Sequence, residues 1–306
     1  MKIWLPHKLG LTYLHDLHDL PAEVDIEVAD DPAALPSDPE TVTFFVPTLL
    51  DQPQFHDVVP RMRALEVLQL PSAGSDGWLH LTPPTTVICD ARGLHSAATA
   101  EWVLAATLAQ LRHLPSLYSA QLHGVWKPQP GVDLSGRRVL LIGAGSVGAA
   151  VARRLEPFEV DLTVVARTAR PAEGVRGVAD LPLLLRRADV VIVVVPLTAA
   201  TRHLVDSEFL AALPDGALLV NASRGPVVDT MALLGELSSG RLRAALDVTD
   251  PEPLPDGHPL WREANALITP HVGAITEGLT DRVYRLVRDQ VDSYLAGEPL
   301  ANRVDR

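Results

Sequence analysis

A glycine-rich segment near the middle of the chain restricts the possible folds more than any other feature. Gly143, Gly145 and Gly148 form a G-x-G-x-x-G pattern directly after the apolar run RVLLI and before the helical stretch SVGAAVARRL. The first glycine of such a pattern permits a tight turn, the second lets backbone amides approach a pyrophosphate, and the third allows close helix packing. The helix N-terminus adds partial positive charge. We therefore predict a dinucleotide site, with Ser146 and Val147 as further contacts, in preference to a plain glycine-rich turn.

Short apolar runs recur on both sides of this segment and predict buried strands. Five of them lie before residue 91, with helical-looking stretches such as residues 54–65 between some of them. Six more begin at Arg138, also with interleaved helices. Because alternating strands and helices favour parallel sheets covered by helices, the predicted fold class is α/β, with two doubly wound parallel-sheet domains.

The order of these elements predicts one domain inserted in another. Residues 96–277 form the predicted Rossmann cofactor domain. Residues 1–95 and 278–306 form a discontinuous, flavodoxin-like substrate domain, because the helical pattern after His271 has room to return to the first domain. An Ala- and Leu-rich stretch from Ser96 is expected to be one helix that ends near Pro115. It could bridge the domains or contact a partner, and it favours a homodimer.

The composition argues against several classes of protein. A formal charge of -12 disfavours a nucleic-acid partner, which requires clustered Lys and Arg. The apolar stretches are shorter than the roughly 20 residues of a membrane span. The single cysteine, Cys89, ends a β-branched run and is expected to be a buried thiol; without disulfides or a leader-like start, the expected location is the cytoplasm. His15 and His18 are expected on a solvated helix face, so no metal site is predicted.

The residues after the second strand of the Rossmann series indicate the cofactor. In NAD-preferring folds an Asp or Glu there accepts hydrogen bonds from the ribose hydroxyls, but here Ala166 occupies the position. Arg167, Thr168 and Arg170 follow, and arginine can pair with a 2′-phosphate. NADP is therefore the expected cofactor, with NAD possible if the arginines are only solvated surface residues.

Six segments stand in an order and spacing typical of one enzyme family: LQLPSAGSDGW, GAGSVG, VVPLTAATRHLV, LLVNASRGPVVDTMAL, AALDVTDPEPLP and ITPHVGA. Through them nearly the whole chain resembles the D-isomer-specific 2-hydroxyacid dehydrogenases, which include glyoxylate and hydroxypyruvate reductases and phosphoglycerate dehydrogenase. The resemblance implies hydride transfer between NAD(P)H and a small 2-keto acid. It also implies Arg224, Glu252 and His271 as the catalytic set.

The expected reaction needs these residue types. Reduction of a 2-keto acid puts a proton on the carbonyl oxygen, and histidine titrates near neutral pH. A carboxylate such as Glu252 can orient His271 and favour its protonated form. Arg224 can hold the substrate carboxylate and the developing alkoxide through its planar fork. Singly, each could be an ordinary charged loop residue.

The resemblance assigns lesser roles to other positions. Asp247 is similar to a residue that hydrogen-bonds the nicotinamide carboxamide, although a strand-end cap is the alternative. Ala73 and Gly74 resemble a loop that meets the substrate carboxylate through backbone amides, with a plain turn as the alternative. Ser75 departs from the usual apolar residue of that loop, which puts substrate identity in doubt. Four further positions are expected to line the cofactor: Val195, Ala222, Ser223 and Gly273.

Two alternatives to a 2-hydroxyacid dehydrogenase stay open from the sequence. Corepressor-like relatives use the same fold as a nucleotide-responsive interaction protein, although the intact Arg, Glu and His set weighs against a binding role alone. The second alternative is a dehydrogenase for another small anion, such as phosphite. Glu252 argues against formate, since formate enzymes of the family have Gln at this position.

Overall fold

The computed structural model describes residues 1–6, 24–48, 52–75 and 77–305. The chain forms two compact units, one of residues 1–95 and 276–306 and the other of residues 96–275. The first unit is thus discontinuous in sequence. The second segment of this unit begins at residue 276, two residues before the expected start at residue 278. Each unit is an α/β unit built on a parallel sheet, which confirms the predicted fold class.

The sheet of the first unit has the strand order β2-β1-β3-β4-β5, with every pair parallel. This is the order of flavodoxin-like folds. Alternate side chains of the strands enter two apolar clusters, one on each face, so that Trp4 and Ile3 point to opposite sides. The strands are β1 (Lys2–Leu5), β2 (Asp25–Val28), β3 (Phe44–Phe45), β4 (Val67–Gln69) and β5 (Val87–Cys89).

The predicted helical stretch at residues 54–65 is wrong. The structure has two short 3-10 turns there, Gln52–Phe55 and Val59–Arg61. Each contains a proline, Pro53 or Pro60, which cannot donate a backbone hydrogen bond. Pro60 lies inside the predicted stretch and would interrupt a continuous α-helix there, so the segment folds as separate turns.

The sheet of the second unit has seven strands in the order β12-β11-β10-β9-β6-β7-β8, all parallel. The order reverses direction between β6 and β9, which is the topological switch point where doubly wound sheets bind ligands. The strands are β6 (Arg138–Ile142), β7 (Asp161–Ala166), β8 (Val175–Gly177), β9 (Val190–Val193), β10 (Leu218–Asn221), β11 (Arg243–Leu246) and β12 (Ala266–Ile268). The sequence predicted all of these except β8.

Helices cover both faces of this sheet. The helices of the second unit are α1 (Ser96–Leu111), α2 (Leu114–Leu122), α3 (Ser146–Leu155), α4 (Leu181–Leu185), α5 (Ser207–Ala211) and α6 (Thr230–Ser238). Helices α1 and α3 pack on one face through residues such as Val103 and Val151. Helices α4, α5 and α6 pack on the other through residues such as Leu185, Phe209 and Leu233.

The helix expected from Ser96 to near Pro115 is α1, and a further helix, α2, follows it. Helix α1 ends at Leu111, and His113 takes a left-handed conformation with φ 55°. Pro115 then lies in the first turn of α2, where a missing backbone N–H costs no hydrogen bond. The proline that was expected to end a helix therefore begins one.

The chain returns to the first unit through α7 (Leu279–Ala296). Val283, Val287 and Val291 stand four residues apart on this helix and are buried in one of the two apolar clusters of the first sheet. Gly297 ends the helix in the left-handed conformation, with φ 68°.

Candidate active site

The glycine-rich turn joins β6 to α3 and has the features that a bound pyrophosphate needs. A Cβ atom on Gly143 would overlap the carbonyl oxygen of Val194, and one on Gly148 would overlap the carbonyl oxygen of Gly143. Both positions therefore require glycine for packing. A Cβ on Gly145, by contrast, would meet no atom within 4 Å. Gly145 is the N-cap of α3 and has no side chain to cap it, so the first amides of the helix, at Ser146 and Val147, suit an anion.

The residues that follow β7 differ in their contacts. Strand β7 ends at Ala166, as the sequence predicts. The Arg170 guanidinium donates to the carbonyl oxygen of Ala144, in the glycine-rich turn, at 3.2 Å and lies 3.2 Å from the carboxylate of Glu173. Arg167 and Thr168 are exposed, and Arg167 has no ion pair with any described residue.

His271 and Glu252 form a direct hydrogen bond. The ring Nδ1 of His271 lies 2.6 Å from Oε1 of Glu252, and the two side chains are 47% and 41% exposed. Glu252 follows β11 and His271 follows β12. These neighbouring parallel strands end at the same edge of the sheet, which explains how residues 19 apart in sequence meet.

The surroundings of Glu252 keep its carboxylate ionised. Burial opposes the charge and acts to raise the pKa, but the hydrogen bond from His271 and the charges of His271 and Arg224 act in the other direction. A backbone hydrogen bond from Thr249 adds to them. The net effect lowers the pKa of Glu252 below its ordinary value, so the group accepts a hydrogen bond from Nδ1 of His271 at neutral pH.

Arg224 lies in the loop after β10, close enough to Glu252 for its charge to act on the carboxylate. Its Nη1 donates to the carbonyl oxygen of Ser223 at 2.7 Å. Gly225 lets this loop touch the one after β11, because a Cβ there would overlap the carbonyl oxygen of Thr249. The structure therefore brings all three expected catalytic residues together. No role was predicted for Gly225 from the sequence, although it is the final residue of the N-A-S-R-G motif that contains Arg224.

Asp247 anchors the segment that carries His271. Its Oδ1 accepts from the hydroxyl of Thr269 at 2.6 Å and from the amide of Val272 at 2.9 Å. Its Oδ2 accepts from the amide of Gly273 at 2.8 Å. Asp247 is only 4% exposed, and a Cβ on Gly273 would come within 2.7 Å of Oδ2. These contacts correspond to the alternative interpretation of Asp247 as a cap after its strand.

The other expected cofactor residues lie at the same edge of the sheet. Val195 follows β9, and Ala222 follows β10 with its amide donating to the carbonyl oxygen of Val193 at 3.1 Å. Ser223 is buried, and its hydroxyl donates to the side chain of Asn221. Gly273 follows β12.

The loop with the expected substrate residues belongs to the first unit. Ala73 and Gly74 follow β4, where the hydroxyl of Ser72 donates to the carbonyl oxygen of Gly74 at 3.2 Å. The amide of Ala91 donates to the carbonyl oxygen of Ser72 at 2.9 Å. The loop is thus tied to the chain beyond β5, and Ala73 is exposed.

The single cysteine and the histidine pair that the sequence also singled out add no functional site among the described residues. Cys89 is fully buried, and burial raises the pKa of its thiol to about 11, as expected of a core residue. His15 and His18 lie outside the described residues, which hold no cluster of His, Cys, Asp and Glu suited to a metal ion. None of the described helices combines the length and apolar character that a membrane span requires.

Fold and site together define a nicotinamide-dependent oxidoreductase with a Rossmann cofactor unit. Residues 104–273 match the model of the D-isomer specific 2-hydroxyacid dehydrogenase NAD binding domain. The chain belongs to the D-isomer-specific 2-hydroxyacid dehydrogenase family, as its motifs predicted.

Named relatives agree with this family. The human glyoxylate reductase/hydroxypyruvate reductase is 36% identical over 216 residues, which are 67% of this chain and 66% of that protein. D-3-phosphoglycerate dehydrogenase of Methanocaldococcus jannaschii is 31% identical over 258 residues, which are 81% of this chain but 49% of that protein. A D-isomer specific 2-hydroxyacid dehydrogenase from Xanthobacter autotrophicus Py2, solved in complex with NADPH and MES, superposes with a TM-score of 0.81 at 30% identity, covering 99% of this chain and 97% of that one.

Proposed function

We propose that the chain reduces a small 2-keto acid to its 2-hydroxy acid, with glyoxylate and hydroxypyruvate as the first candidate substrates. The observation that carries this proposal is the 2.6 Å hydrogen bond between His271 and Glu252 within range of the Arg224 charge. Acid, orienting carboxylate and cation are the groups that the reduction of a keto acid requires.

His271 is the proton donor in this proposal. Glu252 holds Nδ1, so Nε2 is the ring nitrogen left to give a proton to the carbonyl oxygen of the substrate. The side chain is 47% exposed, which leaves it accessible to a small molecule. In the oxidative direction the neutral imidazole takes the proton back.

Arg224 is the proposed anchor of the substrate. Its guanidinium is a planar fork that matches the carboxylate of a keto acid and stabilises negative charge on the carbonyl oxygen. The bond from Nη1 to Ser223 fixes one side of the fork. Ala73 and Gly74 are the proposed backbone contacts to the same carboxylate.

NADPH is the proposed cofactor, and its nicotinamide, when bound, supplies the hydride. The open space at Gly145 and the uncapped start of α3 would hold the pyrophosphate. Arg167 is the arginine best suited to the 2′-phosphate, because Arg170 is engaged by Ala144 and Glu173 and supports the turn itself. Thr168, Val195, Ala222, Ser223, Asp247 and Gly273 complete the proposed cofactor contacts.

Steady-state assays with both cofactors test this function. NADPH oxidation with glyoxylate and hydroxypyruvate should exceed NADH oxidation, and Arg167→Ala should raise the KM for NADPH while leaving that for NADH unchanged. His271→Asn should lower kcat by about 10²- to 10⁴-fold with little effect on NADPH affinity. Failure of the wild-type chain to oxidise either cofactor with any 2-keto acid would favour a corepressor-like binding role. Oxidation of phosphite without turnover of any 2-keto acid would assign phosphite as the substrate instead.

The proposed assembly is a homodimer formed through α2, not through α1. Helix α1 is covered within its own unit, but Leu114, Tyr118 and Leu122 stand four residues apart on α2 and are 52%, 60% and 67% exposed. Trp126, just beyond, is 95% exposed. Such an apolar stripe suits a second copy of the chain.

Light scattering after size-exclusion chromatography tests the dimer. Tyr118→Glu combined with Leu122→Glu should convert a dimer to a monomer. Leu183→Glu is the matched control, since Leu183 is 71% exposed on α4 away from this stripe, and it should leave the mass unchanged. A wild-type chain that elutes as a monomer would contradict the proposal.

A further inference from the structure

A cavity of about 230 Å³ lies in the second unit, at the edge of the sheet opposite the catalytic loops. Its wall includes Arg137, directly before β6, and Asp189, directly before β9. Gly216 and Arg243 contribute from the amino ends of β10 and β11. His271, Glu252 and Arg224 follow the carboxyl ends of their strands, so the reaction proposed above makes no use of this cavity.

Arg243 is a cation that its own protein satisfies incompletely. Nη1 donates to the carbonyl oxygen of Gln110 at 3.3 Å and Nη2 to that of Gly216 at 3.0 Å. Nε is buried and has no hydrogen-bond partner. Burial, and then the nearby charge of Arg137, lower the pKa of Arg243. Among the described residues, the side chain of Arg137 has one hydrogen bond, from Nε to the carbonyl oxygen of Asp133 at 3.0 Å.

The carboxylates of the wall are already paired with other arginines. Asp189 accepts from Nε, Nη2 and the backbone amide of Arg138 at 3.0, 2.7 and 2.9 Å. Asp215 is 87% exposed and lies 3.7 Å from Arg241. In the described part of the chain, no carboxylate forms an ion pair with either of the two arginines that line the cavity. Arg137 and Arg243 therefore line a shared space with no carboxylate in hydrogen-bond contact, although the charge of Arg137 also acts on Asp189.

We propose that this cavity binds a phosphoryl dianion, as free phosphate or as part of a small organic phosphate. The planar forks of Arg137 and Arg243 match phosphate oxygens, and two positive charges match a dianion better than a monoanion. A phosphate would relieve the mutual repulsion of the two arginines. Leu111 and Val132 add an apolar wall against which an organic substituent could lie, and the exposed Gly216 forms part of the rim.

Isothermal titration with inorganic phosphate tests the proposal. The titration is done at constant ionic strength with saturating amounts of NADPH and NADH together. The cofactor site is then filled whichever cofactor the chain prefers. One phosphate should bind per chain, and Arg137→Gln should weaken it about tenfold, the loss expected for one charged hydrogen bond. Arg243→Gln should weaken it at least as much. Arg186→Gln, at an exposed arginine outside the cavity, is the matched control and should bind like the wild type.

The readout is binding, so it is independent of whether the chain reduces keto acids. Because Arg243→Gln could disturb folding, Arg137→Gln, whose side chain makes fewer contacts, decides the result on its own. Tighter binding of glycerol phosphate than of phosphate would identify an organic phosphate as the ligand, and the reverse would identify free phosphate. The proposal is overturned if Arg137→Gln binds phosphate as the wild type does, if the wild type binds none, or if succinate binds as well as phosphate.

Discussion

Replacing Asp247 by asparagine separates two possible roles for this residue, as an anchor for the catalytic loop or as a cofactor contact alone. The carboxylate is 4% exposed and accepts three hydrogen bonds, two of them from the amides of Val272 and Gly273. Asparagine keeps one acceptor oxygen and puts an NH₂ group where the other stood. At least one of the two amides then faces a donor in a buried site.

The size of the effect follows from the bonds that are lost. A hydrogen bond to a charged acceptor contributes about 1.5–3 kcal/mol, and a buried amide left without a partner costs a similar amount. We expect Asp247→Asn to lower the free energy of unfolding of the second unit by about 3 kcal/mol. Because His271 shifts with its loop, kcat should fall by about 100-fold.

Urea unfolding without cofactor and steady-state kinetics measure the two effects. Asp229→Asn is the matched control, since Asp229 also accepts from two backbone amides, those of Met231 and Ala232, but as the N-cap of α6. Because asparagine caps a helix about as well as aspartate, this variant should cost less than about 1 kcal/mol and leave kcat unchanged. An Asp247→Asn variant with unchanged stability in the cofactor-free protein and only a raised KM for the cofactor would show that Asp247 is a cofactor contact alone.

Three further outcomes are expected. The Cys89 thiol, with its pKa raised to about 11, should resist iodoacetamide at pH 8 in the folded protein and react once the protein is unfolded in urea; rapid modification of the native chain would contradict its burial. Gly225→Ala should destabilise the chain by about 2 kcal/mol and reduce turnover, because its methyl group meets the carbonyl oxygen of Thr249; a fully active variant would show that the two loops can separate. The hydrogen bonds from Arg138 lower the pKa of Asp189, so the pair stabilises the fold at neutral pH and loses this effect as the pH falls through the lowered pKa. Asp189→Asn should therefore cost about 1 kcal/mol or less at pH 7 and progressively less as the pH falls, and a cost that does not change with pH would contradict the ionic origin.

The strands could be predicted because a buried parallel strand leaves a strong local signature. Runs such as residues 190–193 are apolar at every position, since both faces of the sheet are covered by helices. Strand β8 has no such run: Val175–Gly177 is short and its central residue, Arg176, is exposed. Its place in the sheet depends on pairing with β7, which no local pattern records.

The residue types of the candidate site could be predicted, but the hydrogen bonds that hold them in place could not. The motifs named Arg224, Glu252 and His271, and the fold explains their convergence, because β10, β11 and β12 are adjacent and parallel. The contacts of Asp247 with a segment 22–26 residues later in the chain depend on how two loops cross. Likewise, nothing local distinguishes Arg170, which supports the glycine-rich turn, from Arg167.

The backbone conformation of His271 determines which inactive variant is best suited to trapping bound ligands. This residue has φ 54°, and its amide donates to the carbonyl oxygens of Asp247 and Thr269 at 2.8 and 3.0 Å. Alanine in that conformation costs about 1 kcal/mol, whereas asparagine adopts it readily. His271→Asn should therefore keep the loop in place while removing the proton donor. Crystals of that variant soaked with a keto acid and reduced cofactor would hold both reactants long enough to be seen together.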